Sequence, residues 1–304
     1  MRLKSGRPDL GPYSTYFDVP PASPTAPVSV AWGGVTTLLI DDGSSAVMTD
    51  GFFSRPSFSM VAARRLTSSH PRVEDALSRL AVTGLDAVVP VHTHYDHAMD
   101  SAAVATLTGA CLLGGTSAAL IGRGHGHDRI RTVTSGEQVT AGNYDITLIE
   151  GNHCPPDRFP GAITAPVVPP ARASAYKCGE AWSMLVHHRP TGHRLLIVGS
   201  AGFVAGALAG HRAEVAYLGV GQLGLQHPDY ITQYWTETVR TVGARRVVLT
   251  HWDDFFRPLD KPLRALPYAV DDLDTSMRVL GQLAADDAVA LHLPTLWQRA
   301  DPWS

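Results

Sequence analysis

Cysteine is scarce in this sequence: Cys111, Cys154 and Cys178 are the three present in 304 residues. Three scattered thiols do not make a disulfide framework, which excludes the small stapled secreted scaffolds and fits a reducing compartment, so a cytoplasmic location is the expectation. No window holds the roughly 18 apolar residues that a membrane-spanning helix needs. The start, Met1-Arg2-Leu3-Lys4-Ser5-Gly6-Arg7-Pro8, carries positive charge without an apolar stretch behind it, so no secretory signal is read there. An excess of positive charge is also missing. The 25 Lys and Arg against 28 Asp and Glu leave a net charge of −3, which argues against a surface that tracks nucleic-acid phosphates. Charged residues are only 17% of the chain and apolar ones 44%, the balance of an ordinary globular protein and well above the disordered range. At this length a chain buries about three-quarters of its unfolded surface, enough for one large domain.

The start is poor in regular structure. Pro8, Pro12, Pro20, Pro21, Pro24 and Pro27 crowd residues 1–27, which predicts an extended arm lying on the body or on a partner subunit, so a homo-oligomer is one expectation. Residues 28–304 then read as a single domain. Val28–Trp32, Val35–Ile40 and Ala46–Thr49, punctuated by Gly33-Gly34 and Asp41-Asp42-Gly43, predict short strands. Val73, Leu77, Leu80 and Ala81 shift to helical spacing, and Asp86–Pro90 is a buried strand. Ala102–Leu107, Ala110–Gly114 and Ala118–Ile121 continue the alternation of helix and strand. Ile130–Val133, Gln138–Thr140 and Tyr144–Ile149 are expected in a second sheet, followed by a proline- and glycine-rich loop over 155–172 of the kind that often covers a site. A hairpin flanks Arg189-Pro190-Thr191-Gly192. Strands at Val215–Leu218, Arg246–Thr250 and Ala288–Leu293 enclose two helical stripes, one through Ile231, Tyr234, Trp235, Val239 and Val242, the other through Leu273, Met277, Leu280 and Leu283.

What is abundant is histidine in one place. Val91-His92-Thr93-His94-Tyr95-Asp96-His97 puts four potential metal ligands within six residues, where about 0.3 of a histidine is expected by chance. If a buried strand ends near Val91, His92 and His94 point the same way at i and i+2. Asp96 and His97 then fall where the chain turns into a helix, offset enough to serve a second ion beside the first. Other functional groups also follow strand ends: Asp50, His153, Gly199-Ser200 and His251. Groups at the same ends of several strands converge on one mouth.

The order of Asp50, then HxHxDH at His92–His97, then His153, then Gly199-Ser200, then His251 resembles the metallo-β-lactamase superfamily over nearly the whole chain from Val28 to Leu293. The resemblance implies an α/β fold, a four-layer αβ/βα sandwich of two mixed β-sheets flanked by helices. It implies one metal on His92, His94 and His153 and a second on Asp96, His97 and His251, with two zinc ions per chain. A three-imidazole zinc site with an open position acidifies its bound water to a pKa of about 7, so a metal-held hydroxide would be the nucleophile, with Asp96 orienting the water. Asp50 would fix a ligand histidine through its other ring nitrogen. The catalytic set implied is Asp96, His94, His153 and His251, acting on a small-molecule ester, lactone or phosphodiester. The layout looks most like the branch holding the ascorbate-6-phosphate lactonase and the N-acyl-phosphatidylethanolamine phospholipase D.

One position departs from that pattern. Most hydrolases of the superfamily bridge the metals with an aspartate where this chain has Ser200, so the second ion is expected to bind more weakly, or Asp253 or Asp254 to substitute. A serine also occurs there in one subclass of true metallo-β-lactamases, which makes β-lactam hydrolysis an alternative; a non-catalytic binding protein is another. Zinc, manganese and iron are not told apart by sequence. Phe52, Phe53, Arg55, Tyr95 and Trp252 flank the ligands and either line the substrate pocket or belong to the core. Cys154 is read as a neighbour of His153 more than a ligand, His125 and His127 as a solvated loop, and His227 as a substrate contact or a residue before a helix.

Overall fold

The computed structural model describes residues 4–304, so the first three residues of the proline-rich arm lie outside the described residues. Six strands come first: β1 (Ser29–Trp32), β2 (Leu38–Asp41), β3 (Ala46–Thr49), β4 (Ala87–Val89), β5 (Cys111–Gly114) and β6 (Ile130–Thr132). Eight follow: β7 (Gln138–Ala141), β8 (Tyr144–Gly151), β9 (Ala181–His188), β10 (Arg194–Val198), β11 (Val215–Gly219), β12 (Arg246–Thr250), β13 (Ala290–His292) and β14 (Arg299–Ala300). Between them lie α1 (Phe58–Ala63), α2 (His70–Arg79), α3 (Tyr95–Ala98), α4 (Ser101–Thr108), α5 (Thr116–Gly124), α6 (Pro228–Trp235) and α7 (Leu273–Asp286).

The strands form two seven-stranded sheets, ordered β14-β1-β2-β3-β4-β5-β6 and β13-β12-β11-β10-β9-β8-β7. Each mixes an antiparallel meander with a parallel run: β3 through β6 in the first sheet, β10 through β13 in the second. The parallel joins need crossovers, which α2, α4 and α5 supply on one side and α6 and α7 on the other, while the irregular segment 199–214 joins β10 to β11. Period-two alternation then sorts the apolar residues into layers. Leu38, Ile40, Val47, Ala87 and Val89 face the second sheet in the central core, whereas Leu39, Met48 and Val88 face outward onto Val73, Ala76 and Leu77 of α2. Buried on both faces, these strands read as continuous apolar runs, as doubly covered sheets do. The expected four-layer α/β sandwich of two mixed sheets is the architecture found.

Three elements differ from the expectations drawn from sequence. β6 belongs to the first sheet, paired in parallel with β5, because α5 carries the chain back to that sheet; its half-buried and exposed residues give no pattern to assign it. β14 is two residues long and closes the far edge of the same sheet against β1. The six residues of α1 lack the apolar spacing of a buried helix, and none of them is buried.

The arm packs on its own chain. Leu10, Tyr13, Tyr16 and Phe17 rest on the central core, Tyr13 donates to Asp274 at 2.6 Å, and Lys4 pairs with Asp272 at 2.6 Å. Among the described residues no helix is long and apolar enough to cross a membrane.

Candidate metal centre

The strand ends bring the expected ligands to one edge of the sandwich. β3 delivers Asp50, whose backbone N–H donates to Val89 at 3.1 Å while its Oδ1 accepts from Val91 N–H at 2.8 Å. One carboxylate therefore anchors the segment that begins His92–His97. Its other oxygen, Oδ2, accepts from His97 Nδ1–H at 2.8 Å, which turns His97 Nε2 inward. His251 follows β12, its N–H held by the Val35 carbonyl at 2.8 Å. His153 follows β8 and donates Nδ1–H to the carbonyl of Cys154 at 2.7 Å, again freeing Nε2.

Two groups of side chains match the expected ligand sets. His92, His94 and His153 form one, and Asp96, His97 and His251 the other, the ligand atoms within each lying within 4.8 Å of one another. His92 Nε2 lies 3.2 Å from His94 Nδ1, and His97 Nε2 3.2 Å from His251 Nε2. Zinc–nitrogen bonds of 2.0–2.1 Å in a tetrahedron put ligand nitrogens about 3.3 Å apart, so both spacings match the edge of a zinc polyhedron. Asp96 Oδ2 stands 3.6 Å from His251 Nε2 and 3.8 Å from His97 Nε2, completing a carboxylate-and-two-imidazole face.

Electrostatics point the same way. Burial, reinforced by the neighbouring imidazoles, holds His92 well below the ordinary histidine range, and burial with His94 pushes His153 down to about 4. The first group is thus a set of neutral lone pairs, the state a metal requires. Burial would raise Asp96, yet His97 and His251 hold it below the usual carboxylate range. Burial would likewise lower His97, but Asp50 and Asp96 hold it above its ordinary value. A cation between these groups would take the place of that extra proton.

Backbone strain collects around the same edge. Val35, Asp50, Arg55 and His251 are non-glycine residues with φ of 49°, 52°, 45° and 59°. Left-handed conformations outside glycine cost about 1–3 kcal/mol each and cluster at functional sites, where the surrounding structure fixes them. Close approach is required too: a Cβ on Gly199 would lie 2.0 Å from Val91 Cγ2, so only glycine lets β10 end beside the ligand segment.

The other residues singled out in the sequence fall elsewhere, with physical reasons. Ser200 accepts from Cys154 N–H at 3.0 Å and is in neither ligand group. Asp253 is fully buried in an ion pair with Arg55 at 2.6 Å, and Asp254 pairs with Arg7 and Arg264, so neither substitutes for a bridging carboxylate. Arg55 is captured by that pair and does not line a pocket. Trp252 sits in the core against Trp32 and Phe17, at ring separations of 5.3 and 5.7 Å, because neighbours of a ligand along the chain point the other way. Phe52 and Phe53 are also core, and Tyr95 is buried edge-on against Phe52. Asp157, which sequence reasoning missed, stands 3.1 Å from His94 Nε2, whose hydrogen bond goes to the Phe159 carbonyl at 3.3 Å, and with His94 and Cys178 it makes a third group whose ligand atoms lie within 4.8 Å of one another. Its one signal was its place in the proline-rich loop.

The solvated-loop reading of His125 and His127 is corrected. His127 bridges Thr106 and the Arg129 carbonyl, and His125 lies against the Tyr176 hydroxyl at 3.3 Å. Burial pushes His125 down to about 4. The unfolded chain, at about 6.5, binds more protons between these values, so stability should rise with pH from about 4 to 6.5 and level off above. Urea midpoints across that range should show a shallower rise in H125Q than in the unmodified protein.

No protein-family model matches the chain, and no curated protein does. Solved structures do. A metallo hydrolase from the hyperthermophilic archaeon Ignicoccus hospitalis, Igni18, superimposes with a TM-score of 0.56 at 14% identity, covering 90% of this chain and 97% of its own. A possible metal-dependent hydrolase from Veillonella parvula gives 0.57 at 14% identity over 91% and 100%. The metallo-β-lactamase fold protein YhfI from Bacillus subtilis gives 0.51 at 13% identity over 88% and 95%. Likeness at this identity establishes a common fold.

Proposed function

We propose that this chain, which has the metallo-β-lactamase fold, is a zinc-dependent hydrolase of a small ester, lactone or phosphodiester. The observation that carries the reading is the pair of ligand groups with nitrogen spacings of 3.2 Å, each built from separate strand ends and sharing one edge. His92, His94 and His153 would hold one ion, and Asp96, His97 and His251 the other. Bound zinc would supply an acidified water and a Lewis acid for the substrate's carbonyl or phosphoryl oxygen. The chain's own groups do the rest. Asp50 fixes the His97 ring so that Nε2 faces inward, and the Cys154 carbonyl does the same for His153. Asp96, ionised at neutral pH, would orient the attacking water. A cytoplasmic site of action and assembly into a homo-oligomer belong to the same reading and rest on the sequence alone.

Elemental analysis of protein purified without chelator and then given zinc at neutral pH tests it. About two zinc ions per chain, falling to about one in H251A, with turnover in a lactone and phosphodiester screen abolished by H94A, is the expected result. No bound zinc at any loading would overturn the reading. Ser200 at the usual bridging position favours β-lactam hydrolysis as a second reading, which turnover of an ampicillin and carbapenem panel would bring to the front.

Asp157 should matter through His94. Carboxylates that hold a ligand histidine contribute about 10–100-fold in metal affinity. D157A is therefore expected to weaken the tighter zinc site by about the low end of that range in a chelator-competition titration, since the Phe159 carbonyl still holds the ring, with D157N in between.

A further inference from the structure

Five large apolar side chains are exposed among the described residues: Phe58, Met60, Leu107, Val168 and Leu225. Three of them lie on two segments that meet. Phe58 and Met60 are on α1, Val168 is in the 155–172 loop, and the two segments are stitched together by reciprocal backbone hydrogen bonds between Leu66 and Ala171. Both border the same small core, which also holds Tyr95 and Phe255, residues beside the candidate ligands.

The sequence of α1, Phe58-Ser59-Met60-Val61-Ala62-Ala63, contains no charge, and only Val61 is half-buried. A surface helix ordinarily turns polar residues outward, so an uncharged one with Phe58 63% exposed is a face without its partner. An aromatic track leads inward from it. The Phe58 ring meets Phe256 edge-on at 5.3 Å, Phe256 lies 4.5 Å from Phe255, and Phe255 meets the His251 ring edge-on at 5.5 Å. On the opposite side Phe159 stands 6.1 Å from His94. Ring-to-ring contacts thus lead from the exposed Phe58 through the half-buried Phe256 and the buried Phe255 to His251 of the candidate metal centre.

We infer that the substrate carries an acyl or aryl group that lies along Phe255, Phe256 and Phe58 while its cleavable bond sits at the metal groups. The inference rests on the hydrolase reading for the bond cleaved and on the track for the class of substrate. Continuity with His251 selects this occupant over a second copy of the chain, which would cover α1 without reaching the site.

Two titration series separate the track from the hydrolase reading. On zinc-loaded protein, calorimetric titration with methyl- through decylphosphonic acid should show affinity rising about fourfold per methylene, as burial of each CH₂ requires, beyond the shortest members. F58S and F256S should flatten that slope while leaving methylphosphonate affinity unchanged. On metal-free protein, n-alkanols from butanol to decanol should show the same slope and the same loss in F58S. A flat chain-length dependence in both series overturns the track. An alkanol slope without phosphonate binding overturns the hydrolase reading and leaves an apolar site. A slope insensitive to F58S and F256S places the apolar group elsewhere, and a dimer in sedimentation that F58S dissolves assigns α1 to a second copy; either result overturns the inference.

Discussion

Zinc at about a thousand times a site's dissociation constant should raise the midpoint of thermal unfolding by about 8 °C for each ion bound. Mass action sets the size: an ion held only by the folded chain adds about 4 kcal/mol at that excess, and about 1 kcal/mol moves a chain of this size by about 2 °C. Only folding brings the ligands together, since His92 and His251 are 159 residues apart (251 − 92) on separate sheets. Scanning calorimetry on the unmodified protein, H92A and H251A assigns the effect. H92A should lose the share that belongs to the three-histidine group, and H251A the share of the group containing Asp96. A rise that survives both substitutions would place zinc somewhere else. The measurement needs no substrate, so it bears on the ligand sets before any activity has been found.

The part of this centre that sequence makes legible is the part governed by local geometry. His92 and His94 share a direction because a strand alternates every two residues, and Asp50, His153 and His251 could be picked out because each follows an apolar run that had to be a strand. Apolar runs marked the individual strands, since doubly covered strands are continuous apolar runs, whereas the two-sheet sandwich came from the resemblance. Contacts without a local cause were not legible. Asp157 reaches His94 from a loop whose path no periodicity fixes, and Arg55 finds Asp253 across 198 residues. Trp252, open between pocket and core because it adjoins His251, is sent into the core by alternation. β6, exposed along most of its length, had no pattern with which to announce its sheet.

The Arg55–Asp253 pair is where packing and site are most tightly joined, and breaking it should have the second large effect. Both side chains are fully buried, and Arg55 Nε and Nη2 have no partner of their own, so the guanidinium depends on this carboxylate. D253A would leave an uncompensated buried charge, at a cost of about 3–5 kcal/mol. At about 2 °C per kcal/mol the expected fall in unfolding midpoint is about 6–10 °C. The double variant R55M/D253L removes both charges and should recover most of that loss, because apolar replacements of buried pairs are often neutral or better. Its metal binding should not recover. Asp253 Oδ1 also accepts the Val35 N–H at 2.9 Å, and the Val35 carbonyl in turn holds the His251 N–H at 2.8 Å. Leucine cannot accept that bond, so Val35 loses its anchor and His251 its fixed left-handed geometry. Zinc titration of the double variant should therefore show the three-histidine group intact and the His251 group weakened, on a protein whose calorimetric midpoint is near normal. If stability and zinc binding recover together, the pair supports the fold alone, and the strained backbone at Val35 and His251 is held by something other than Asp253.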